Sequence, residues 1–358
     1  MTELDLPAAA GPGLKPTAAD PYPPSFIDRI MGRVERLPVP YWVGYLVFFF
    51  FLVILTHVVS WWDGWLPPYT FSPLNFLFPL WFFAPLAIMT HLDRLARDSL
   101  ADFSALLDIT DEELRKLEYE FTTMPARTVL LNSIIWFFFF SLVQIAGYQG
   151  FFVAYGVGTA GTIYAVVLGY VANWFGCAIY YHTFRQLRQV NRTVKMVEQF
   201  NLFELEPVYA FSRVTAQTGM AWVALLALTL LFFPIEMINL FVLVMLVSIV
   251  ILAISAFALP LWVVHRCLVS EKHRLLAERD RRVDENLARL HACLDENQLD
   301  KVEPLNIGMA CLITEREVLE RIPTWPWRAG TFSKFLSAIV LPIFLFLVQW
   351  ILGNVLGN

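Results

Sequence analysis

The side chains able to do chemistry are few in this sequence, and their spacing works against catalysis. His265-Arg-Cys267 and His291-Ala-Cys293 each hold two metal-ligating residue types two positions apart. On a helix that spacing turns the side chains away from one another, so neither pair prefigures a metal centre. The four cysteines, Cys177, Cys267, Cys293 and Cys311, contain no C-x-x-C pair, and no H-E-x-x-H, G-x-x-x-x-G-K-[ST] or G-x-S-x-G run occurs. These observations lean away from an enzyme and imply no cofactor.

The polar residue that stands out is Asn173. It shares a helical face with Gly161, Ala165, Gly169, Ala172 and Gly176, which stand three or four apart in an apolar stretch. Small residues let helices approach closely, and an amide inside an apolar stretch needs a partner. The expected role is an interhelical hydrogen bond at the centre of a bundle; the alternative is a pore-lining position. The run PTWPWR at 323–328 places Trp325, Trp327 and Arg328 before the last apolar stretch, where indoles and a guanidinium favour an interfacial anchor.

The elements that must position these residues are transmembrane helices. The chain of 358 residues is 58% apolar and only 16% charged, against about 25% charged in soluble domains. Apolar stretches run over 41–61, 72–91, 128–147, 160–181, 219–235, 238–264 and 333–352, each near the roughly 20 residues needed to cross a hydrocarbon core. The expected fold is therefore all-α and polytopic, with about seven transmembrane helices and helical segments between them. The predicted organisation is a disordered tail over 1–25, an interfacial helix and two spans over 26–91, and a cytoplasmic helical segment over 92–127. Spans three and four follow at 128–181, a second helical segment at 182–218, a hairpin of spans five and six at 219–264, a cytoplasmic helical hairpin at 265–331, and span seven with an outer tail at 332–358. Pro73, Pro79 and Pro85 should kink span two.

All 26 Lys and Arg residues fall on one side of this arrangement. The positive-inside rule then puts the amino terminus in the cytoplasm and the carboxyl terminus outside, in a bacterial-type inner membrane. That orientation excludes seven-span receptors and retinal proteins, which have an outside amino terminus. No acidic or basic side chain falls at the middle of a span; His57 should lie close to the outer surface, with His91 and His265 at cytoplasmic ends. The lack of an intramembrane titrating group counts against proton-coupled transport.

The charged segments are helical in pattern. Ser25-x-x-Asp28 and Thr110-x-x-Glu113 have capping-box form. Phe26, Ile27, Ile30, Met31, Val34 and Leu37 make one stripe with Arg29, Arg33 and Arg36 on its flank, the design of a helix lying among anionic headgroups. Asp93–Arg97 and Arg94–Asp98 are expected to pair weakly on an outer face. Phe184, Leu187, Val190, Val194 and Val197 form a further stripe beside Arg185, Arg188, Arg192 and Lys195. Val269, Leu276, Val283 and Leu290 are seven apart, with Leu287 and Leu294 as second seam positions of a coiled coil. The loop 294–304 should reverse the chain, and Thr314-x-x-Glu317 should interrupt the returning arm. The functional expectation is a membrane-embedded signalling, regulatory or scaffolding component acting through its cytoplasmic helices. Its partners would be anionic headgroups and either a second copy or a cytoplasmic protein, with no nucleic acid. The alternative is a channel or facilitator for a small uncharged solute.

Overall fold

The computed structural model is described here over residues 21–148, 157–197, 202–203, 205–233 and 240–325, together with 333, 336, 337, 340 and 344. Helices α1 (Phe26–Glu35), α2 (Tyr41–Trp62), α3 (Leu77–Ser104), α4 (Asp111–Thr122) and α5 (Ala126–Tyr148) form the first half. The second half comprises α6 (Thr159–Gly176), α7 (Ala178–Val194), α8 (Glu206–Phe232), α9 (Leu240–Asp295) and α10 (Leu299–Arg321). Six helical runs are long and apolar enough to cross a membrane: Tyr41–Trp62, Pro73–Ser104, Ala126–Ile145, Thr159–Val194, Glu206–Phe232 and Leu246–Asp295. The protein is thus an all-α polytopic membrane protein. The expected seventh span lies almost wholly outside the described residues, as do the 1–20 tail and the turn between spans five and six at 234–239.

The local signals operate as chemistry requires. Both capping boxes form: Asp28 and Glu113 return a carboxylate to the N–H of Ser25 and Thr110 at 2.8 and 2.9 Å. The bond from the Thr110 N–H holds the Glu113 carboxyl below the usual carboxylate range. Pro79 is tolerated because it occupies the first turn of α3, where its missing N–H has no intrahelical acceptor. Pro85 lies inside α3 and deprives the Trp81 carbonyl of its usual donor four residues on. At that same carbonyl Gly176 of α6 makes its approach, so close that a Cβ there would stand 1.9 Å from the Trp81 oxygen.

Two hydrophobic cores result. One lies within the spans and includes Leu86, Met89, Ile179, Trp222, Leu225 and Phe257; Ile27, Met31 and Val34 of α1 belong to it. The other is built where α3, α7, α8 and α9 continue beyond the apolar stretches and meet α4, around Leu100, Phe103, Phe121, Val190, Phe211 and Leu268. Large apolar side chains left exposed, among them Phe51, Ile54, Phe138, Leu142, Ile145, Ile251 and Leu259, face outward as a lipid-contacting surface would.

Several expectations are corrected. Asp93 is buried and bonds His182. Arg97 pairs instead with Glu118 and Arg94 with Glu35, at 2.8 and 2.7 Å. The reason is that Asp93 continues the inward stripe of Met89, Ala96 and Leu100 rather than the outer face. His57 is not among these corrections: it lies five residues before the end of α2, as the sequence implies, and is only 1% exposed within the bundle. Its Nδ1 meets the Val53 carbonyl at 2.8 Å and its Nε2 accepts the Ser72 N–H at 3.2 Å, which places the ring proton on Nδ1. The turn after α9 is confined to 296–298, with Pro304 inside α10. Thr314 bonds the Ala310 carbonyl within the helix and does not interrupt it. Residues 22–25, expected in the loose tail, are docked on α4.

α10 lies antiparallel beside the polar half of α9. Asn286 Nδ2 donates to the Leu305 carbonyl at 3.3 Å, and Lys272 Nζ donates to the carbonyls of Glu320 and Ile322 at 2.7 and 3.1 Å. That ammonium satisfies acceptors left over at the carboxyl end of α10.

Candidate functional site

At the end of the bundle that carries α4, polar side chains from four separated segments converge. Their starting point is the stretch before α1. The Tyr22 hydroxyl donates to the Thr123 carbonyl at 3.0 Å, while the Tyr119 hydroxyl donates to the Tyr22 carbonyl at 2.8 Å. Ser25 N–H reaches the Met124 carbonyl at 3.0 Å, and Ala126 N–H the Pro23 carbonyl at 3.2 Å. The Asp28 Oδ2 atom closes this clasp by accepting from the Ser25 N–H and hydroxyl and from the Met124 N–H, at 2.8, 2.8 and 3.0 Å. Its Oδ1 is buried without a hydrogen-bond partner. Burial pushes the Asp28 carboxyl up to about 6, against the opposing pull of the Ser25 bond.

α7 enters from the other side. Arg185 lies over the Tyr22 ring, 5.2 Å from its centre, and donates to the Tyr22 hydroxyl and the Glu120 carbonyl. Burial raises the Tyr22 phenol far above its ordinary value, only partly countered by the Arg185 charge. The Glu120 carboxylate takes Gln189 and Arg192 at 3.1 and 3.3 Å. One turn back, His182 Nε2 meets Asp93 Oδ1 at 2.8 Å with both residues buried. Gln186 donates to the Leu92 carbonyl at 3.2 Å, and the Trp222 indole donates to Thr183 Oγ1 at 3.0 Å. The amino-terminal clasp, α3, α4, α7 and α8 are therefore tied together by side chains whose bonds are mostly shielded from water, where a polar network is strengthened if satisfied.

A cavity of about 500 Å³ opens beside this network. Arg29, Arg33 and Arg36 line it from α1, and Arg94 and Arg97 from α3; Asp28, Glu35 and Asp93 line it as acids. Arg94 also lies over the Tyr41 ring, 4.5 Å from its centre. A smaller cavity of about 50 Å³ is lined by Ser60, Asp63, Asn75, Gly161 and Tyr164, at the opposite end of α6. Side chains of the span core, such as Leu80, Leu86 and Met89, occupy α3 between Asn75 and Asp93.

The residues singled out from sequence are dispersed. Asn173 is half-buried and bonds within its own helix, donating to the Gly169 carbonyl at 2.9 Å and accepting from the Cys177 thiol at 3.4 Å. Its expected interhelical bond is replaced by these local ones. Gly161, Gly169 and Gly176 are all buried at contacts: a Cβ would meet Asp63 Oδ2 at 2.6 Å, Phe140 Cζ at 2.7 Å and the Trp81 carbonyl at 1.9 Å, respectively. Asp63 explains the first, because its carboxylate accepts the Gly158 N–H at 2.6 Å and so caps the start of α6. Trp325 stacks on His265 with ring centres 4.0 Å apart, while His265 Nδ1 meets the Thr324 carbonyl at 3.0 Å. Trp327 and Arg328 lie outside the described residues. No group of three or more His, Cys, Asp or Glu side chains able to hold a metal ion occurs among the described residues.

Sequence reasoning missed the Asp93–His182 pair. Its signal was present on α3, where Leu86, Met89, Ala96, Leu100 and Phe103 recur three or four apart and Asp93 is the charged residue in register with them. An acid on a buried stripe demands a partner. No family model matches this chain, and no curated protein or solved structure matches it either.

Proposed function

We propose that this chain is a regulatory or scaffolding component of a bacterial-type inner membrane, with its amino terminus and the layer of α4, α7 and α10 in the cytoplasm. The observation that carries this reading is the second hydrophobic core, with Phe103, Phe121, Val190, Phe211 and Leu268 buried beyond the apolar stretches. This layer supplies a folded surface outside the spans, which is what a regulatory or scaffolding component needs in order to meet a partner. The orientation is supported by the one-sided distribution of Lys and Arg. On the same reading α9 and α10 form a cytoplasmic hairpin that presents Ile307, Ile313 and Val318, each at least 46% exposed, to a protein partner or a second copy.

A photo-cross-linking amino acid at Ile307 or Ile313 tests this in native membranes, with Leu142 as the lipid-facing control. Discrete protein adducts from α10 and none from Leu142 are expected. Absence of adducts from α10, together with protein-dependent solute flux in proteoliposomes, overturns the proposal in favour of a channel.

A further inference from the structure

The cavity beside the polar layer has a mixed charge pattern that identifies its ligand class. Five guanidiniums line it, and Arg29, Arg33 and Arg36 are exposed. Among the described residues Arg33 and Arg36 have no acidic partner, so their charge is available at the rim. The acids behave differently. Glu35 binds Arg94 through Oε1, Asp93 binds His182 through Oδ1, and Asp28 binds the clasp through Oδ2 while its Oδ1 has no partner. Glu35 and Asp93 therefore each commit one oxygen to the protein and leave the other as an acceptor, whereas the second oxygen of Asp28 is sealed inside the clasp. A purely anionic ligand would meet the Glu35 and Asp93 carboxylates; a purely cationic one would meet five guanidiniums. A ligand with a phosphate and a primary ammonium satisfies both sets, because guanidinium suits phosphate and an ammonium offers three N–H donors.

The depth of the cavity identifies the source of that ligand. Thr90 and Asp93 line it where the apolar stretch of α3 gives way to charged residues. Next to Arg36, Leu37, Val39 and Trp42 are 40, 42 and 54% exposed, and Leu46 and Phe50 extend that apolar surface along α2. Trp42 and Tyr41 have the amphipathic rings that settle at headgroup level.

We propose that the cavity binds the headgroup of an aminophospholipid such as phosphatidylethanolamine. The phosphate rests on the arginine rim, the ammonium on Glu35 and Asp93, and the acyl chains along the exposed face of α2. This names a ligand for the polar layer and rests on the reading of that layer as the working region. Occupancy would bridge α1 and α3 through opposite charges on the same molecule, making the clasp sensitive to lipid composition.

The test is native mass spectrometry of the full-length protein in detergent, with phosphatidylethanolamine, phosphatidylglycerol and phosphatidylcholine of identical acyl chains. Phosphatidylethanolamine should be retained about tenfold more strongly than either competitor, since one lost charged hydrogen bond is worth that much. Arg33→Gln with Arg36→Gln should lower its retention by a similar factor, and Glu35→Gln should abolish the preference over phosphatidylglycerol. Equal retention of the three lipids, or an unaffected arginine variant, overturns the proposal. Displacement by soluble phosphoethanolamine at a concentration matching the lipid overturns the lipid source. Unchanged α10 adducts alongside any of these failures would leave the cytoplasmic-layer reading standing, whereas loss of those adducts with lipid selectivity intact would remove only the latter.

Discussion

Replacing Gly176 by alanine inserts one methyl group between α6 and the Trp81 carbonyl of α3. At 1.9 Å the new carbon would overlap a backbone atom. Reaching even 3.0 Å, the limit below which Cβ contacts are not tolerated, requires the helices to separate by about an ångström along that line. A backbone carbonyl in mid-helix cannot rotate away as a side chain can, so neighbouring contacts of Phe82, Leu86 and Phe175 must loosen with it. Overpacking of this kind costs about 1–3 kcal/mol, and the better helix propensity of alanine recovers at most about 1 kcal/mol. The same substitution at Gly169 meets the end of the Phe140 ring at 2.7 Å, which can move. At Gly32 it meets nothing within 4 Å and should be neutral or stabilising by up to about 1 kcal/mol. Equilibrium unfolding in mixed micelles titrated with dodecyl sulfate should therefore rank the variants Gly32→Ala, Gly169→Ala, Gly176→Ala in falling stability. If Gly176→Ala unfolds with the parent, or ranks above Gly169→Ala, the close approach of α6 to the proline-freed carbonyl is not a feature of the folded state.

Other perturbations probe the polar layer and the α9–α10 pairing. Removing Asp93 or His182 alone should cost about 3–5 kcal/mol by stranding the buried partner, with Asp93→Leu/His182→Leu costing well under the sum; additive effects in the same unfolding assay would mean the two do not interact. Asp28 has its carboxyl raised from 3.8 to about 6, so its contribution is complete below pH 4 and is lost as pH rises through 6, on the order of 3 kcal/mol. Asp28→Asn should flatten that part of the stability–pH curve, and parallel curves for the two proteins would contradict it. Lys272→Ala should free the Glu320 and Ile322 carbonyls and speed amide exchange over the last turn of α10, at a cost of about 0.3–1 kcal/mol; unchanged exchange there would show the cap to be dispensable. Cysteines at Asn286 and Gly308, whose positions face each other with Asn286 Nδ2 3.1 Å from a Cβ at 308, should cross-link within one chain; dimers alone on a denaturing gel would mean that α10 pairs with another copy.

Helix content, six of the seven expected spans and the helix starts at Ser25 and Thr110 were determined by the sequence itself, because apolar length, 3.6-residue periodicity and caps act within a few residues of one another. The unbroken passage of α9 from membrane-crossing residues to charged ones was legible for the same reason: nothing between Trp262 and Leu294 stops a helix. Where each face points was a different matter. Asp93 reads as a surface acid beside Arg97 until His182, 89 residues later, is placed against it. Asn173 reads as the adhesive of the bundle, yet its amide is satisfied by Gly169 one turn away while the adjoining glycines make the contacts. Asp63 caps a helix that begins 95 residues downstream, and Gly176 is required by a carbonyl that Pro85 uncovers on another helix. A polar group inside an apolar bundle must find a partner, but the choice between a neighbour on its own helix and a group on a distant one is made only when the helices pack.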